Sequence, residues 1–199
     1  MFRNDRKSFF LFQDFISNFD KSKIEKSDLV TFEDFIVISS GISNQLNKSI
    51  KEIKLLYRTS IDGDLGKKFH SKCDGVKNTV TFIKTINGKR FGGFAHKEWN
   101  SNGGWITDKN AFVFSLDFNE CYYYNNNGYN IYGNSSYGPC WGYNGNYNYY
   151  DILLSNRCLS NTSSMTYQNS FNYNGRSNAL SGTNNFQVKD YEFYELILE

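Results

Sequence analysis

The strongest structural signal in this sequence is the segment TVTFIKTINGKRFGGFA, which spans residues 79–95. Its first half, residues 79–86, is rich in the β-branched and aromatic residues that favour strands. The pair Asn87-Gly88 follows and favours a type I′ turn, in which both central residues take a positive φ. Residues 89–95 are interpreted as the return strand. The segment therefore predicts a β-hairpin.

Further strands and one helix are predicted around this hairpin. Residues 112–116 alternate in the pattern of a strand that is buried on at least one face. Additional short strands are predicted at 129–133, 151–154 and 190–198. Leu65, Phe69 and Cys73 are spaced by four residues, which predicts a helix over 65–73.

These elements define a fold class that is mainly β with flanking helices. We expect a two-sheet antiparallel β-sandwich with an N-terminal helical lead. Four phenylalanines are expected to fill its inner surface: Phe82, Phe91, Phe112 and Phe114.

The first 50 residues show helical periodicity. One apolar stripe is formed by Phe9, Phe12, Ile16 and Phe19, and another by Leu46, Ile50, Ile53 and Tyr57. Between them, Thr31 followed by Asp34 resembles a capping box at a helix start. We therefore divide the chain into a helical lead, residues 1–50, and a sandwich domain, residues 51–199.

Residues 121–187 are dominated by Asn, Tyr, Gly and Ser and contain only three charged residues, Asp151, Arg157 and Arg176. Such a composition is typical of low-complexity segments. Apolar anchors recur, however, at Ile131, at Trp141 and in residues 152–154, and a disordered tract lacks these. We favour strands joined by long polar loops.

Composition excludes several classes of protein. The chain has 199 residues with 22 Lys and Arg against 20 Asp and Glu, a net charge of +2, which gives no indication of nucleic acid as a partner. No apolar run is long enough for a transmembrane segment or typical of a signal peptide. The four cysteines include no C-x-x-C pair. We therefore expect a cytoplasmic protein with reduced thiols.

Candidate catalytic groups are sparse. His70 lies three residues before Cys73, so the two could share a helix face and act as a thiol nucleophile and its base. The alternative is a buried structural thiol beside a surface imidazole. Two His and four scattered Cys show no zinc spacing, and Asp62-Gly63-Asp64 lacks the rest of a calcium loop. We predict no metal and no cofactor.

Aromatic side chains are the candidate binding residues. They are Trp99, Trp105, Tyr137, Trp141 and Tyr143, in loops around 99–105 and 137–143. Exposed aromatic rings anchor protein interfaces and also stack on sugars, so both a protein partner and a glycan are open. These positions could equally belong to the core.

The order of segments resembles the TLDc domain family over roughly residues 50–199. The segments that carry the resemblance are 55–60, Asp62-Gly63, 69–75, 79–84, 91–94 with Trp99, 104–108, 111–116, 137–142, 151–154, 186–188 and 191–194. No single motif is specific, but the order is that of the family.

The resemblance implies a two-sheet sandwich flanked by helices. It also implies protection against oxidative stress, binding and regulation of the vacuolar proton-pumping ATPase, and a place beside endomembranes. It carries no catalytic residues with it. The leading hypothesis is a non-enzymatic interaction module, and the alternatives are a thiol-dependent enzyme acting on peroxide or a small substrate, or a glycan-binding sandwich.

Overall fold

The computed structural model describes residues 13, 16–17, 19–20, 22, 24, 27, 29–126, 129–143 and 149–199. Within residues 29–199, the described chain forms three helices and twelve strands. The helices are α1 (Phe32–Leu46), α2 (Thr59–Asp62) and α3 (Gly66–Cys73). The first six strands are β1 (Ile50–Arg58), β2 (Thr79–Thr85), β3 (Arg90–Ala95), β4 (Asn102–Ile106), β5 (Phe112–Ser115) and β6 (Glu120–Tyr123). The other six are β7 (Tyr129–Asn134), β8 (Tyr137–Tyr143), β9 (Ile152–Ser155), β10 (Ser164–Met165), β11 (Asn185–Phe186) and β12 (Val188–Leu198).

The strands form two antiparallel six-stranded sheets. The first sheet has the order β1-β12-β2-β3-β5-β6 and the second β11-β10-β9-β8-β7-β4. The architecture is mostly β, and the predicted fold class is confirmed. The strands predicted at 129–133, 151–154 and 190–198 correspond to β7, β9 and β12.

The predicted hairpin is confirmed, but its turn is not type I′. β2 and β3 pair in register from Thr79↔Ala95 to Lys84↔Arg90. Of the two turn residues only Gly88 has a positive φ, 88°, and its N–H donates to the carbonyl of Thr85 at 3.0 Å. The connection is therefore a longer loop that closes on one left-handed glycine, as in three-residue hairpin loops.

Two hydrophobic cores lie on opposite faces of the first sheet. One lies between the sheets and includes Phe91, and the other lies between the first sheet and α1 and includes Phe82, Phe112 and Phe114. All four rings are fully buried, so their burial was predicted correctly. Their common placement between the sheets is wrong, because three of them point to the opposite face and pack under the helix.

Helix α1 begins where the sequence predicts. The Thr31 side chain accepts from the N–H of Asp34 at 3.4 Å, and the Asp34 carboxylate accepts from the N–H of Thr31 at 2.8 Å. This reciprocal capping box is confirmed. Phe35 and Ile38 are fully buried against the first sheet, so the helix forms the third layer of the fold.

The apolar stripe through Ile50, Ile53 and Tyr57 belongs to strand β1 rather than to a helix. β1 pairs with β12, and its register shifts twice, between Ile50 and Glu52 and between Leu55 and Tyr57. Each bulge adds a residue to the usual period of two. The first bulge leaves Ile50 and Ile53 on the same face under α1 although they are three residues apart, and the second moves Tyr57 to the opposite face, between the sheets. The spacings of three and four residues imitate a helix, although the three side chains do not share one face.

The first apolar stripe lies largely outside the described residues, because Phe9 and Phe12 are not among them. Ile16 is helical and 37% exposed. Phe19 is not helical, and its ring centroid lies 5.4 Å from that of Phe35.

The Asn- and Tyr-rich stretch contributes β6 and five strands of the second sheet. Ile131, Trp141, Ile152 and Leu154 all enter the core between the sheets. The apolar anchors predicted from the sequence therefore hold a segment of biased composition in a regular fold.

Candidate interaction surface

The predicted thiol–imidazole pair on α3 is not assembled. Cys73 is fully buried, and burial raises the pKa of its thiol far above the usual range. His70 is 4% exposed, and its Nδ1 lies 2.5 Å from Oδ1 of Asp74 rather than near the sulfur. The imidazole of His70 is oriented by Asp74 and is therefore not placed to act as a base for the Cys73 thiol.

The other three cysteines are equally unsuited to nucleophilic chemistry. None forms a disulfide, and burial raises the pKa of Cys121 and Cys158 to about 12 and that of Cys140 further still. The thiolate is the reactive form of cysteine, and a raised pKa keeps these thiols protonated near neutral pH.

Trp99 and Trp141 belong to the core, which is one of the two placements that the sequence left open. They are 1% and 0% exposed, and their rings meet edge to face at 5.1 Å in the core between the sheets. Each indole N–H is satisfied internally, Trp99 by Oγ1 of Thr79 at 2.8 Å and Trp141 by the carbonyl of Phe94 at 3.3 Å. Both are structural residues.

Trp105, Tyr137 and Tyr143 lie together, on the outer side of the second sheet. Alternation along the strands explains part of this placement: Ile106, Ile131 and Trp141 point into the core, so their neighbours Trp105, Tyr132 and Cys140 point outward. We call the resulting cluster the tyrosine face. Its members are Trp105, Tyr129, Tyr132, Tyr137, Tyr143 and Tyr150.

Trp105 is the centre of the tyrosine face. Its ring stacks on Tyr143 at 4.3 Å with 9° between the planes, and on Tyr129 at 5.3 Å. Tyr132 lies 4.2 Å away. Tyr150 is buried beneath the cluster, while Tyr129 is 42% exposed and Trp105, Tyr132, Tyr137 and Tyr143 are half-buried. The face is thus a packed aromatic layer with its outer edges in water.

A glycine turns the chain so that Tyr143 joins this face. Gly142 has φ 71°, which interrupts the alternation of β8 after Trp141. A Cβ at this position would also lie 1.8 Å from Oδ2 of Asp151. Both the conformation and the close approach require glycine.

Asp151 is a buried carboxyl that sequence reasoning did not single out as a site. It accepts hydrogen bonds from the N–H groups of Asn169 at 3.0 Å and Ser170 at 2.8 Å and from the hydroxyl of Tyr173 at 2.8 Å. Burial raises its pKa to about 7, although these donors act in the opposite direction. These hydrogen bonds hold residues 169–173 beside the tyrosine face. The only feature of the sequence that could have drawn attention to Asp151 is its isolation among uncharged residues.

The tyrosine face is built from a stretch with almost no charge. Of the three charged residues in 121–187, Asp151 is buried and Arg176 pairs with Glu120 at 2.7 Å. Protein interfaces have centres enriched in aromatic residues and depleted of charge. The surface has that composition.

Neither a metal site nor a membrane-spanning helix is found among the described residues. No group of three or more His, Cys, Asp or Glu among them is placed to hold a metal ion. Asp62 instead accepts from the N–H of Arg58 at 2.8 Å and pairs with Lys72. In the same part of the chain, no helix has the length and apolar character needed to cross a membrane.

The chain folds as a two-sheet sandwich with one face covered by a helix and one aromatic face. The sequence profile of the TLDc domain matches residues 23–197, nearly the whole chain, so the protein belongs to the TLDc domain family. The match includes helix α1. No curated protein matches this sequence.

Proposed function

We propose that this protein is a non-enzymatic TLDc interaction module that binds a protein partner through its tyrosine face. The observation that carries the proposal is the half-exposed aromatic layer around Trp105 in an uncharged setting. Large aromatic side chains dominate binding energy at protein interfaces. The rings are already stacked on one another, so little side-chain entropy is lost when a partner covers them.

The proposed partner is the vacuolar proton-pumping ATPase, and the proposed role is protection against oxidative stress in the cytoplasm. Membership of the TLDc family supports this choice. The charge-poor surface favours a partner with an apolar and hydrogen-bonding patch over a strongly charged one.

Capture of the purified ATPase on the immobilised protein tests the proposal. Tyr129→Ser and Tyr143→Ser remove rings at the rim of the tyrosine face, and each should weaken binding by about fivefold to thirtyfold. Ile86→Ser is the matched control, because Ile86 is 62% exposed and lies in the β2–β3 loop. Capture no greater than that by heat-denatured protein, or equal capture by all variants, contradicts the proposal.

A glycan ligand is the second candidate, favoured by the exposed ring of Tyr129 amid Asn and Ser side chains. Sugars stack on such rings and bond to amides. A glycan array distinguishes the two: binding of one glycan class by the wild type, lost in Tyr129→Ser, favours the sugar. A thiol-dependent enzyme is disfavoured because three cysteines are buried, Cys121 is half-buried, and the pKa of all four thiols is raised.

A further inference from the structure

A cleft of about 910 Å³ opens at the end of the sandwich opposite the β2–β3 loop and is separate from the tyrosine face. Its walls come from the end of β12, the loops before β1 and β2, and the segment that joins β3 to β4. Cavities of about 300–1,000 Å³ are the size that holds small molecules.

Part of the cleft lining is apolar, although Glu195 lies on the same face of β12 as Ile197. On β12 the inter-sheet face runs through Phe193, fully buried, to Ile197, which is 41% exposed and lines the cleft. Ile106, which is half-buried, also lines the cleft, whereas the neighbouring Trp99 is 1% exposed. The core between the sheets therefore continues into an open groove.

The rim of the cleft is basic. Lys48, Lys77 and Lys97 contribute to it from three different loops. Among the described residues none of the three has a carboxylate within 4.0 Å. Two acids also line the cleft, Glu98 and Glu195, and the second is shared with Lys54 at 4.0 Å. Three lysines and two glutamates thus line the cleft, and one of the glutamates already has a partner.

Buried hydrogen bonds hold this rim in place. The N–H groups of His96 and Lys97 donate to Oδ2 of Asp108 at 2.6 and 2.9 Å, and Asp108 is 1% exposed. His96 Nδ1 lies 2.7 Å from Oδ1 of Asn78, which ties the loop of Lys97 to the loop of Lys77. Preorganised groups lose less entropy when a ligand binds.

We propose that this cleft binds a small amphiphile with an anionic head, a carboxylate or a phosphate on an apolar chain. The chain lies on Ile106 and Ile197, and the head is held by Lys77 and Lys97. The site does not depend on the protein-binding role of the tyrosine face.

Calorimetric titration with decanoate, kept below its micelle concentration, tests this site. Decyltrimethylammonium has an alkyl chain one carbon longer than that of decanoate and the opposite charge, and is the matched probe. We expect saturable binding of decanoate that weakens with added salt, and none of the cationic probe. Equal binding of both probes overturns the proposal, and so does binding to anionic phosphatidylserine vesicles without binding of free decanoate.

Two sets of variants test separately where the anionic head and the apolar chain of the ligand bind. The double variant Lys77→Glu, Lys97→Glu should weaken decanoate binding by about tenfold or more, since each reversal replaces an attraction with a repulsion. Lys67→Glu, Lys109→Glu carries the same charge change on exposed positions outside the cleft and should bind as the wild type does. Ile197→Thr keeps a β-branched residue and should weaken binding through the chain alone. Unchanged affinity in both cleft variants overturns the proposal.

Discussion

Two residues, Gly142 and Asp151, shape the border of the tyrosine face. Gly142 turns β8 at φ 71° and leaves room for the carboxyl of Asp151. The Asp151 carboxylate in turn accepts hydrogen bonds from the N–H groups of Asn169 and Ser170. The partners lie 18 and 19 residues away along the chain, so no local pattern in the sequence reveals the contact.

The raised pKa of Asp151 leads us to expect an unusual dependence of the free energy of unfolding on pH. Its folded pKa, about 7, lies above the ordinary value of 3.8, so the native state binds more protons between these pH values. The contribution of this group to stability is therefore complete below about pH 4 and is lost as pH rises towards 7. The loss is on the order of 4 kcal/mol at 1.36 kcal/mol per pKa unit.

Urea unfolding of Asp151→Asn at pH 5 and at pH 8 checks this prediction. The stability of the variant relative to the wild type should rise between the two values, because asparagine does not ionise. Glu52→Gln, which removes a carboxylate at an exposed position on β1, is the matched control. If the stability of Asp151→Asn relative to the wild type falls with rising pH, the ionised carboxylate stabilises the fold, and the prediction of a raised pKa is wrong.

The backbone conformation of Gly88 leads to a second prediction, about the stability of the β2–β3 loop. It has φ 88° and no atom near its missing Cβ, so Gly88→Val introduces backbone strain without a steric clash. We expect a loss of about 1–3 kcal/mol in the free energy of unfolding. Gly104→Val, in β4 with open space and no positive φ, is the control and should cost much less. Equal melting temperatures for the two variants would contradict the account of the turn.

Among the elements, α1 is the one whose local chemistry and packing agree most closely. Its capping box orients the first turn, and Asp34 also accepts from Arg90 of β3 at 2.8 Å. The cap therefore links the helix to the sheet that it covers. Phe35 then packs edge to face on Phe82 at 5.0 Å.

Thr31→Ala removes the side chain that caps α1. The change should cost about 1 kcal/mol of stability, because the N–H of Asp34 loses its acceptor at the helix start. Thr31→Ser keeps the hydroxyl and should retain most of the stability. Chemical denaturation measures both, and an alanine variant as stable as the serine variant would show that the cap contributes nothing.

Local patterns predicted the elements that depend on local chemistry. The β2–β3 hairpin and the Thr31 cap are specified by neighbouring residues, and both were predicted. β1 was mistaken for a helix because its first bulge spaces Ile50 and Ile53 by three residues, and Tyr57, four residues further on, is buried on the opposite face. Alternation in Phe82 and Phe112 revealed burial but not which face the helix covers, since that depends on contacts far apart in sequence.

In the whole molecule, the layers assign different roles to the two sheets. The first sheet is covered by α1 on one side and by the second sheet on the other, so most of it serves the core. The second sheet carries the tyrosine face outward. The sequence predicted three of its aromatic residues as binding candidates, but the burial of Trp99 and Trp141 depended on the tertiary fold. Their indoles pack against each other and against Phe193 and Gly93.

Hydroxyl-radical footprinting of the free and ATPase-bound protein tests the tyrosine face most directly. In the free protein, we expect oxidation at Tyr129 and Tyr143 and protection of Trp99 and Trp141. On addition of the ATPase, Tyr129 and Tyr143 should become protected while exposed Ile61 keeps its reactivity. Unchanged oxidation at both tyrosines in a complex that has formed would contradict the account.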